Sequence, residues 1–138
     1  MGRTVKGRAV VPGQASGTVL RSEDPISLWG SVDPETGRII DPRVDRCGES
    51  IAGRVFVLPG EKGSSTGSAV LLELARRELA PAALITASLA PVAALGAIVA
   101  ETLYNITIPV MRVSPEELAG IEDGERLEVT AEGVLSLD

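Results

Sequence analysis

A short segment near the middle of the chain is rich in hydroxyl groups and glycine. Four hydroxyl side chains and one ammonium group fall within the seven residues 62–68, which read Lys-Gly-Ser-Ser-Thr-Gly-Ser. The apolar run 54–58 precedes this segment, and an amphipathic run that begins near Ser68 follows it. A strand, a glycine-rich turn and a helix in this order point backbone N–H groups and the positive end of a helix dipole at one place. The pattern is typical of a site for a carboxylate, a phosphate or a developing oxyanion.

The same residues also occur in strand-to-helix turns for structural reasons alone, because glycine turns the chain and serine caps helices. The segment is not a Walker A loop, since Lys62 precedes the Gly-Ser residues instead of standing at the start of the helix. It does not match the glycine pattern of dinucleotide-binding folds either. From residue chemistry alone, the loop predicts either an anion site of unspecified purpose or a structural turn.

Composition excludes several other kinds of site. The 138-residue chain has no histidine and a single cysteine, Cys47, which excludes a disulfide framework, a Cys/His zinc site and an iron–sulfur cluster held by this chain alone. A histidine general base is excluded as well. A net charge of −6, dispersed basic residues and only one Trp, one Tyr and one Phe predict no nucleic-acid partner. The N-terminal residues and the apolar stretch 89–100 predict neither a signal peptide nor a membrane span, so we expect a cytoplasmic protein.

The rest of the sequence predicts one α/β domain over residues 1–138. Turns at Pro12-Gly13 and Gly17 separate short strands in the first half, and 33–37 is a turn before an exposed loop. Ser114 and Pro115 mark the start of a short helix. Strands are predicted at 4–11, 17–21, 26–29, 38–40, 54–58, 82–86, 108–113, 125–130 and 134–137, helices at 68–79 and 91–103, and the loop at 41–48. A parallel strand–helix unit layered against an antiparallel β unit is the expected architecture.

Several segments, in the same order along the chain, resemble the small subunits of the aconitase X family over roughly residues 7–113. They are Leu-Trp-Gly-Ser-Val-Asp-Pro-Glu-Thr-Gly-Arg-Ile-Ile-Asp at 28–41, Ser-Ile-Ala-Gly-Arg-Val-Phe-Val-Leu-Pro-Gly at 50–60, Gly-Ser-Ser-Thr-Gly-Ser-Ala-Val-Leu-Leu-Glu-Leu at 63–74 and Ala-Pro-Ala-Ala-Leu-Ile at 80–85. The resemblance implies a swivelling β/β/α domain, equivalent to the mobile domain of aconitase. It also implies a large subunit as partner, whose cysteines hold an iron centre or iron–sulfur cluster.

The resemblance further implies roles within the loop. Ser64, its first serine, would be the base that removes a proton from the substrate. The other loop residues would bind a small anionic or amino-acid substrate through hydroxyl and N–H groups, namely Lys62, Gly63, Ser65, Thr66, Gly67 and Ser68. Ordinary aconitases carry an arginine shortly after the corresponding serine, where this chain has Thr66. A tricarboxylate substrate is therefore not expected.

Two substrates belong to the family that the sequence resembles: cis-3-hydroxy-L-proline in bacterial-type members and mevalonate 5-phosphate in archaeal ones. The residues Trp29-Gly30, Asp33-Pro34 and 66–68 resemble the bacterial type, so we predict the first substrate and keep the second as the alternative. An alternative of another class is a non-catalytic module that captures an anion and swivels as a carrier.

A few residues outside the loop are weaker candidates for a role. Asp33, Asp41 and Arg43 are candidates to line the cleft that faces the large subunit. Trp29 is expected to pack at the edge of a β layer, with contact to substrate as the alternative. We expect Cys47 to have no role, although a thiol near the iron centre is conceivable.

Overall fold

In a computed structural model that describes residues 2–138, the chain forms eight strands and four helices. Strands β1 to β8 are Arg3–Lys6, Arg8–Val11, Ala15–Arg21, Val55–Leu58, Ala83–Thr86, Val110–Arg112, Arg126–Val129 and Val134–Leu137. Helices α1 to α4 are Leu28–Ser31, Gly67–Arg76, Pro91–Tyr104 and Pro115–Ala119. Within residues 2–138, no helix has both the length and the apolar character that crossing a membrane requires.

The strands are hydrogen-bonded in the order β1-β8-β7-β3-β4-β5-β6-β2. The four strands β3 to β6 run parallel, while β7, β8 and β1 continue antiparallel beyond β3 and β2 pairs antiparallel with β6. Only Gly7 separates β1 from β2 in the sequence, yet these two strands lie at opposite ends of the order. A single extended N-terminal segment therefore pairs with both ends of the sheet, and the Gly7 N–H donates to the carbonyl of Gly133 at 2.8 Å.

Two apolar clusters fill the spaces between three layers. In β4, Val55 and Val57 contribute to the cluster between the two β layers, whereas Phe56 and Leu58 contribute to the cluster against the helices. All four residues of β4 are buried because the strand is covered on both faces, which is why its sequence is apolar throughout. The predicted β/β/α arrangement of a parallel unit and an antiparallel unit is confirmed.

Most predicted elements are confirmed with shifted ends. The helix predicted at 91–103 is α3, and the one predicted at 68–79 is α2, which ends at Arg76. The helix cannot continue unchanged beyond that point because Glu78 has a φ of +61°. The predicted start of α4 is also confirmed, since Ser114 accepts a hydrogen bond from the N–H of Glu117 and the Glu117 carboxylate accepts one in return.

Two predicted strands are wrong. Residues 26–29 form a single bridge between Ile26 and Glu61, followed by the short helix α1, inside which Gly30 has a φ of +93°. Residues 38–40 make only isolated bridges, Val32 with Ile39 and Arg38 with Ser50, although the turn at 33–37 is present. No neighbouring strand is available to either segment, so their alternating apolar residues are buried without forming a ladder.

Two glycines and one loop also differ from expectation. Gly17 is not a turn residue but lies inside β3, where an added Cβ would stand 2.9 Å from the carbonyl oxygen of Gly53. Gly7 divides the predicted strand 4–11 into β1 and β2. The predicted exposed loop 41–48 is exposed only in part, because Asp41 and Val44 are buried.

Candidate functional site

The glycine- and serine-rich loop lies at the carboxyl edge of the parallel strands. Leu58 of β4 is paired with Thr86 of β5, and Thr86 is paired with Arg112 of β6, so these three strand ends lie side by side. Residues 59–66 leave this edge and lead into α2. Ligands in open α/β sheets bind beyond the carboxyl ends of the strands, which makes this edge the expected place for a site.

Glu61 anchors the loop to the next helix. Its two carboxylate oxygens accept hydrogen bonds from the backbone N–H groups of Val92 at 2.8 Å and Ala93 at 2.9 Å, in the first turn of α3. These N–H groups have no partner within their own helix, so the carboxylate caps α3 from outside it. On the other side of the loop, the N–H of Lys62 donates to the carbonyl of Ile26 at 3.1 Å. No local pattern in the sequence points to this role of Glu61.

Gly63 is required by both its conformation and its surroundings. Its φ of +91° is one that residues with side chains rarely adopt. An added Cβ would also stand 2.6 Å from the hydroxyl oxygen of Ser27. The glycine lets the loop pass close to the residues that precede α1, whereas its predicted role in substrate binding stays a prediction.

Ser64 begins the turn that leads into α2, two residues before Thr66, the N-cap residue of that helix. Its Oγ accepts a hydrogen bond from the N–H of Thr66 at 3.0 Å, and its carbonyl accepts one from Gly67 at 3.1 Å. Thr66 already has helical dihedral angles, φ −62° and ψ −16°. The side chain of Ser64 is exposed, and its hydroxyl proton donates to no acceptor within residues 2–138.

The structure changes which loop groups are available to a ligand. The N–H groups of Thr66, Gly67 and Ser68 all donate within the loop itself. The hydroxyl of Ser68 donates to the carbonyl of Val92 at 2.7 Å and so ties α2 to α3. Some donors of the loop 62–68 make no hydrogen bond to any group within residues 2–138. They are the N–H groups of Gly63, Ser64 and Ser65, the hydroxyls of Ser65 and Thr66, and the ammonium of Lys62. The free donors therefore cluster at the start of the loop, around Ser64.

A cleft of about 330 Å³ opens beside Ser64. Its lining combines the loop with apolar residues of the neighbouring elements, namely Leu28, Glu61, Lys62, Gly63, Ser64, Leu89, Pro91 and Val92. Leu89, which lines the cleft, is open to solvent at 66% of its full exposure. Trp29 follows the lining residue Leu28 in the chain and is 56% exposed. The backbone N of Trp29 would lie 3.7 Å from a Cβ at Gly67, so α1 packs against the start of α2. The expectation that Trp29 packs at the edge of a β layer is wrong, because its side chain is exposed.

The polar candidates outside the loop, Asp33, Asp41 and Arg43, form hydrogen bonds with residues of their own segments. Asp41 is 8% exposed, and Arg43 binds it through Nε at 3.0 Å and Nη2 at 3.0 Å. These side-chain hydrogen bonds, with one from the Arg43 backbone N–H, lower the pKa of Asp41 to about 2. Asp33 accepts a hydrogen bond from the N–H of Glu35 at 2.9 Å and so shapes its own turn. Cys47 is an exposed free thiol.

Metal binding has no ligand set in the part of the chain that the structure describes. Across residues 2–138, no three side chains of His, Cys, Asp or Glu come together in an arrangement that could hold a metal ion. The loop at the edge of the sheet is built from hydroxyls, backbone N–H groups and one ammonium. Such a donor set suits an anion or a proton transfer.

The three-layer β/β/α fold and the loop at the start of α2 can be compared with those of known proteins. Residues 4–137 match the model of the family described as the Aconitase X swivel domain, and the chain belongs to that family. A crystal structure of Thermococcus kodakaraensis aconitase X in its holo-form has the same fold, with a TM-score of 0.89 and 35% identity over 99% of this chain and 98% of that chain.

Curated relatives carry two different names. The phosphomevalonate dehydratase small subunit of Methanothrix thermoacetophila is 41% identical over 92% of this chain and 88% of its own length. That of Methanothermobacter thermautotrophicus is 42% identical over 91% of this chain and 92% of its own. The cis-3-hydroxy-L-proline dehydratase of Pseudomonas aeruginosa is 43% identical over 75% of this chain, and the matched part is 18% of its own length.

Proposed function

We propose that this chain is the small subunit of an aconitase X-type dehydratase, in which Ser64 takes a proton from a hydroxy-acid substrate while the substrate loses its hydroxyl group. The observation that carries the proposal is the setting of Ser64 at the carboxyl edge of the sheet. Its Oγ accepts a hydrogen bond from the Thr66 N–H and donates none within residues 2–138, and the free loop donors surround it.

An alcohol is a poor base at neutral pH, so the site has to favour its alkoxide. The Thr66 N–H at 3.0 Å points at the oxygen that would carry the negative charge. The start of α2 adds the positive end of a helix dipole, and the unpaired ammonium of Lys62 lies two residues away. The N–H groups of Gly63 and Ser65 are then free to bind the carboxylate of the substrate.

Two hydroxy acids are candidates for the substrate. Relatives named phosphomevalonate dehydratase small subunit match this chain over nearly the whole of both sequences. The relative named cis-3-hydroxy-L-proline dehydratase matches over a smaller share of this chain. We therefore place mevalonate 5-phosphate first and keep cis-3-hydroxy-L-proline, the substrate that the sequence motifs predict, as the second candidate.

The iron centre that the family resemblance implies has no ligand set among the described residues of this chain. We propose that a large subunit holds it and that the two subunits meet across the cleft beside Ser64, in the cytoplasm. The exposed apolar side chains of Leu89 and Trp29 support that arrangement, because an apolar rim around a polar site is typical of a surface that a partner covers. The chemistry of this chain is then limited to proton transfer and substrate binding.

The test is dehydration by the chain co-expressed with the aconitase X-type large subunit of the same organism, with either substrate. Ser64→Asn is the informative variant, because an asparagine side chain can accept the hydrogen bond from the N–H two residues on, as Ser64 does, but has no hydroxyl. We expect it to lower kcat by about 10²–10⁴-fold, the usual contribution of a positioned general base. The matched control is Ser136→Ala, which removes a hydroxyl on β8, outside the loop, and leaves that of Ser64 in place.

The alternative of another class is a carrier module that binds an anion without chemistry. The same experiment separates the two proposals. If the co-expressed chains form no complex, or if Ser64→Asn dehydrates both substrates as fast as the unchanged protein, the catalytic proposal is wrong and the carrier module is favoured.

A further inference from the structure

The cations that lack a partner are not spread evenly over this acidic chain. Ion pairs hold six of the 13 basic residues, namely Arg3, Arg21, Arg43, Arg46, Arg76 and Arg77. Four more donate to carbonyl or hydroxyl oxygens, namely Lys6, Arg38, Arg54 and Arg126. Within residues 2–138, Arg8 and Lys62 make no polar side-chain contact, and Arg112 makes only a 3.5 Å contact with the carbonyl of Ala87. Apart from Lys62 in the serine loop, the free cations are thus Arg8 and Arg112.

Arg8 and Arg112 are direct partners in the ladder between β2 and β6. Residues directly opposite in an antiparallel pair project to the same face with Cβ atoms about 4.5–5.5 Å apart, and like charges in that arrangement are unfavourable. A fold does not need this pair for its own stability. Two guanidinium groups at that spacing do match the oxygen atoms of a phosphate, which they can bind in a bidentate manner.

A shallow, open depression accompanies the pair. Arg8 and Arg112 line this depression, which has a volume of about 520 Å³. Its remaining lining residues are Lys6, Gly7, Ala87, Val113, Ser114, Pro115 and Glu117. Three cations thus face one carboxylate, that of Glu117, and one oxygen of this carboxylate already accepts the N–H of Ser114 at 3.0 Å. The formal charge summed over the lining residues is therefore positive, although the whole chain carries −6. A small anion is more favourable here than elsewhere on the acidic surface.

We propose that Arg8 and Arg112 form a binding site for a phosphate or phosphomonoester. The site lies at the same edge of the parallel sheet as the serine loop, because Arg112 is paired with Thr86 and Thr86 with Leu58. Ala87 connects the two places. Its carbonyl is the contact of Arg112, and its N–H donates to the carbonyl of Pro59 at 3.2 Å, at the start of the segment 59–66 that leads into α2. The phosphate can belong to the substrate or be free in solution, and the chemistry of recognition is the same. Binding by the chain itself does not depend on the proposed dehydration.

Inorganic phosphate is the probe, titrated into the full chain and followed by ¹H–¹⁵N NMR. A relative that is 37% identical over 99% of this chain has a solution NMR structure, so a chain of this kind can be studied by the method. We expect saturable shifts at Arg8, Ala87, Arg112 and Ser114, and about tenfold weaker binding in each of Arg8→Met and Arg112→Met. Arg126→Met, an exposed arginine on another strand, is the matched control and should bind phosphate normally. Arg8→Lys keeps the charge without the planar fork and should give intermediate affinity.

Activity in the complex then separates the two sources of the phosphate. A raised KM for mevalonate 5-phosphate in Arg112→Met, with kcat unchanged and the KM for cis-3-hydroxy-L-proline unchanged, assigns the site to the substrate. Weakened binding of inorganic phosphate with no change in KM assigns it to free phosphate. The proposal is overturned if phosphate causes no saturable shifts at these residues, or if the two methionine variants bind it as the unchanged chain does. It is also overturned if their one effect is loss of the large subunit, which would mean that the arginines recognise an acidic protein surface.

Discussion

The carboxylate of Glu61 accepts a hydrogen bond from the backbone N–H of Val92 at 2.8 Å and thereby joins the serine loop to the first turn of α3. A second bond, from Ala93 at 2.9 Å, completes the cap. The loop is consequently attached at one side to a helix that belongs to the next strand–helix unit. The position of Ser64 depends on this attachment, because only two residues separate it from Glu61.

Replacement of Glu61 by alanine should destabilise the domain and reduce activity together. Two N–H groups of α3 would lose their acceptor, and the loss of a helix cap costs about 1–2 kcal/mol. Urea unfolding of the isolated chain measures this change. Glu61→Gln keeps one acceptor oxygen and should lose less. Glu101→Ala, an exposed carboxylate further along the same helix, is the control, and equal unfolding midpoints for Glu61→Ala and Glu101→Ala would contradict the capping role.

Substitutions of Ser64 should separate its role in the turn before α2 from its proposed chemical role. Ser64→Ala removes the acceptor for the Thr66 N–H and should lower the free energy of unfolding by about 1 kcal/mol. Ser64→Asn should leave the stability nearly unchanged, because asparagine accepts a hydrogen bond from the N–H two residues on in the same way. Thermal unfolding of the two variants beside Ser65→Ala provides the measurement. A Ser64→Asn chain as unstable as Ser64→Ala would mean that asparagine does not replace the hydrogen bond from Thr66.

Gly96 of α3 should not tolerate a methyl group. A Cβ at this position would stand 2.9 Å from the carbonyl oxygen of Ser68 and 3.1 Å from the Cβ of Leu71, both in α2. Alanine improves helix propensity by about 0.5–1 kcal/mol, whereas overpacking costs about 1–3 kcal/mol, so a net loss of about 1 kcal/mol is expected. Thr102→Ala on the exposed face of the same helix should cause no loss. The comparison is made by denaturant unfolding. A Gly96→Ala chain at least as stable as the unchanged one would show that α2 and α3 can move apart to accommodate the methyl group without loss of stability.

The pair of Asp41 and Arg43 should make stability fall at low pH. The pKa of Asp41 is about 2 in the folded chain, mainly because the Arg43 side chain hydrogen-bonds to it, against an ordinary value of 3.8. Between these two values the unfolded chain binds a proton that the folded chain does not, so the stabilisation present above pH 3.8 is lost as the pH falls toward 2. The free energy of unfolding, measured between pH 5 and 2, should decrease less steeply with falling pH in Asp41→Asn than in the unchanged chain. Thr102→Ala removes an exposed side chain that does not titrate and should keep the original slope, and identical slopes in all three proteins would contradict the prediction.

The sequence predicts the parts of the fold that depend on local patterns. The apolar run of β4, the amphipathic face of α2 and the Ser114–Glu117 cap are all legible within a few residues. The structure of residues 26–40 cannot be predicted in this way. Their alternating apolar residues resemble those of a strand, and only the lack of a neighbouring strand in residues 2–138 prevents them from forming one.

The site divides in the same way. The position of Ser64 between a buried strand and a helix follows from the sequence, and so does the expectation of an anion site. The acceptor role of Glu61 does not, because its partners lie 31 and 32 residues away. The pairing of Arg8 with Arg112 depends on the register between β2 and β6, which are distant in the chain, so no local sequence pattern predicts it.

The N-terminal segment has a consequence for how this domain tolerates truncation. Because β1 pairs with β8 and β2 pairs with β6, removal of residues 2–11 would uncover the backbone groups of two strands at once. Unpaired strand edges are templates for association with other chains. A domain without these residues would therefore aggregate rather than simply lose stability.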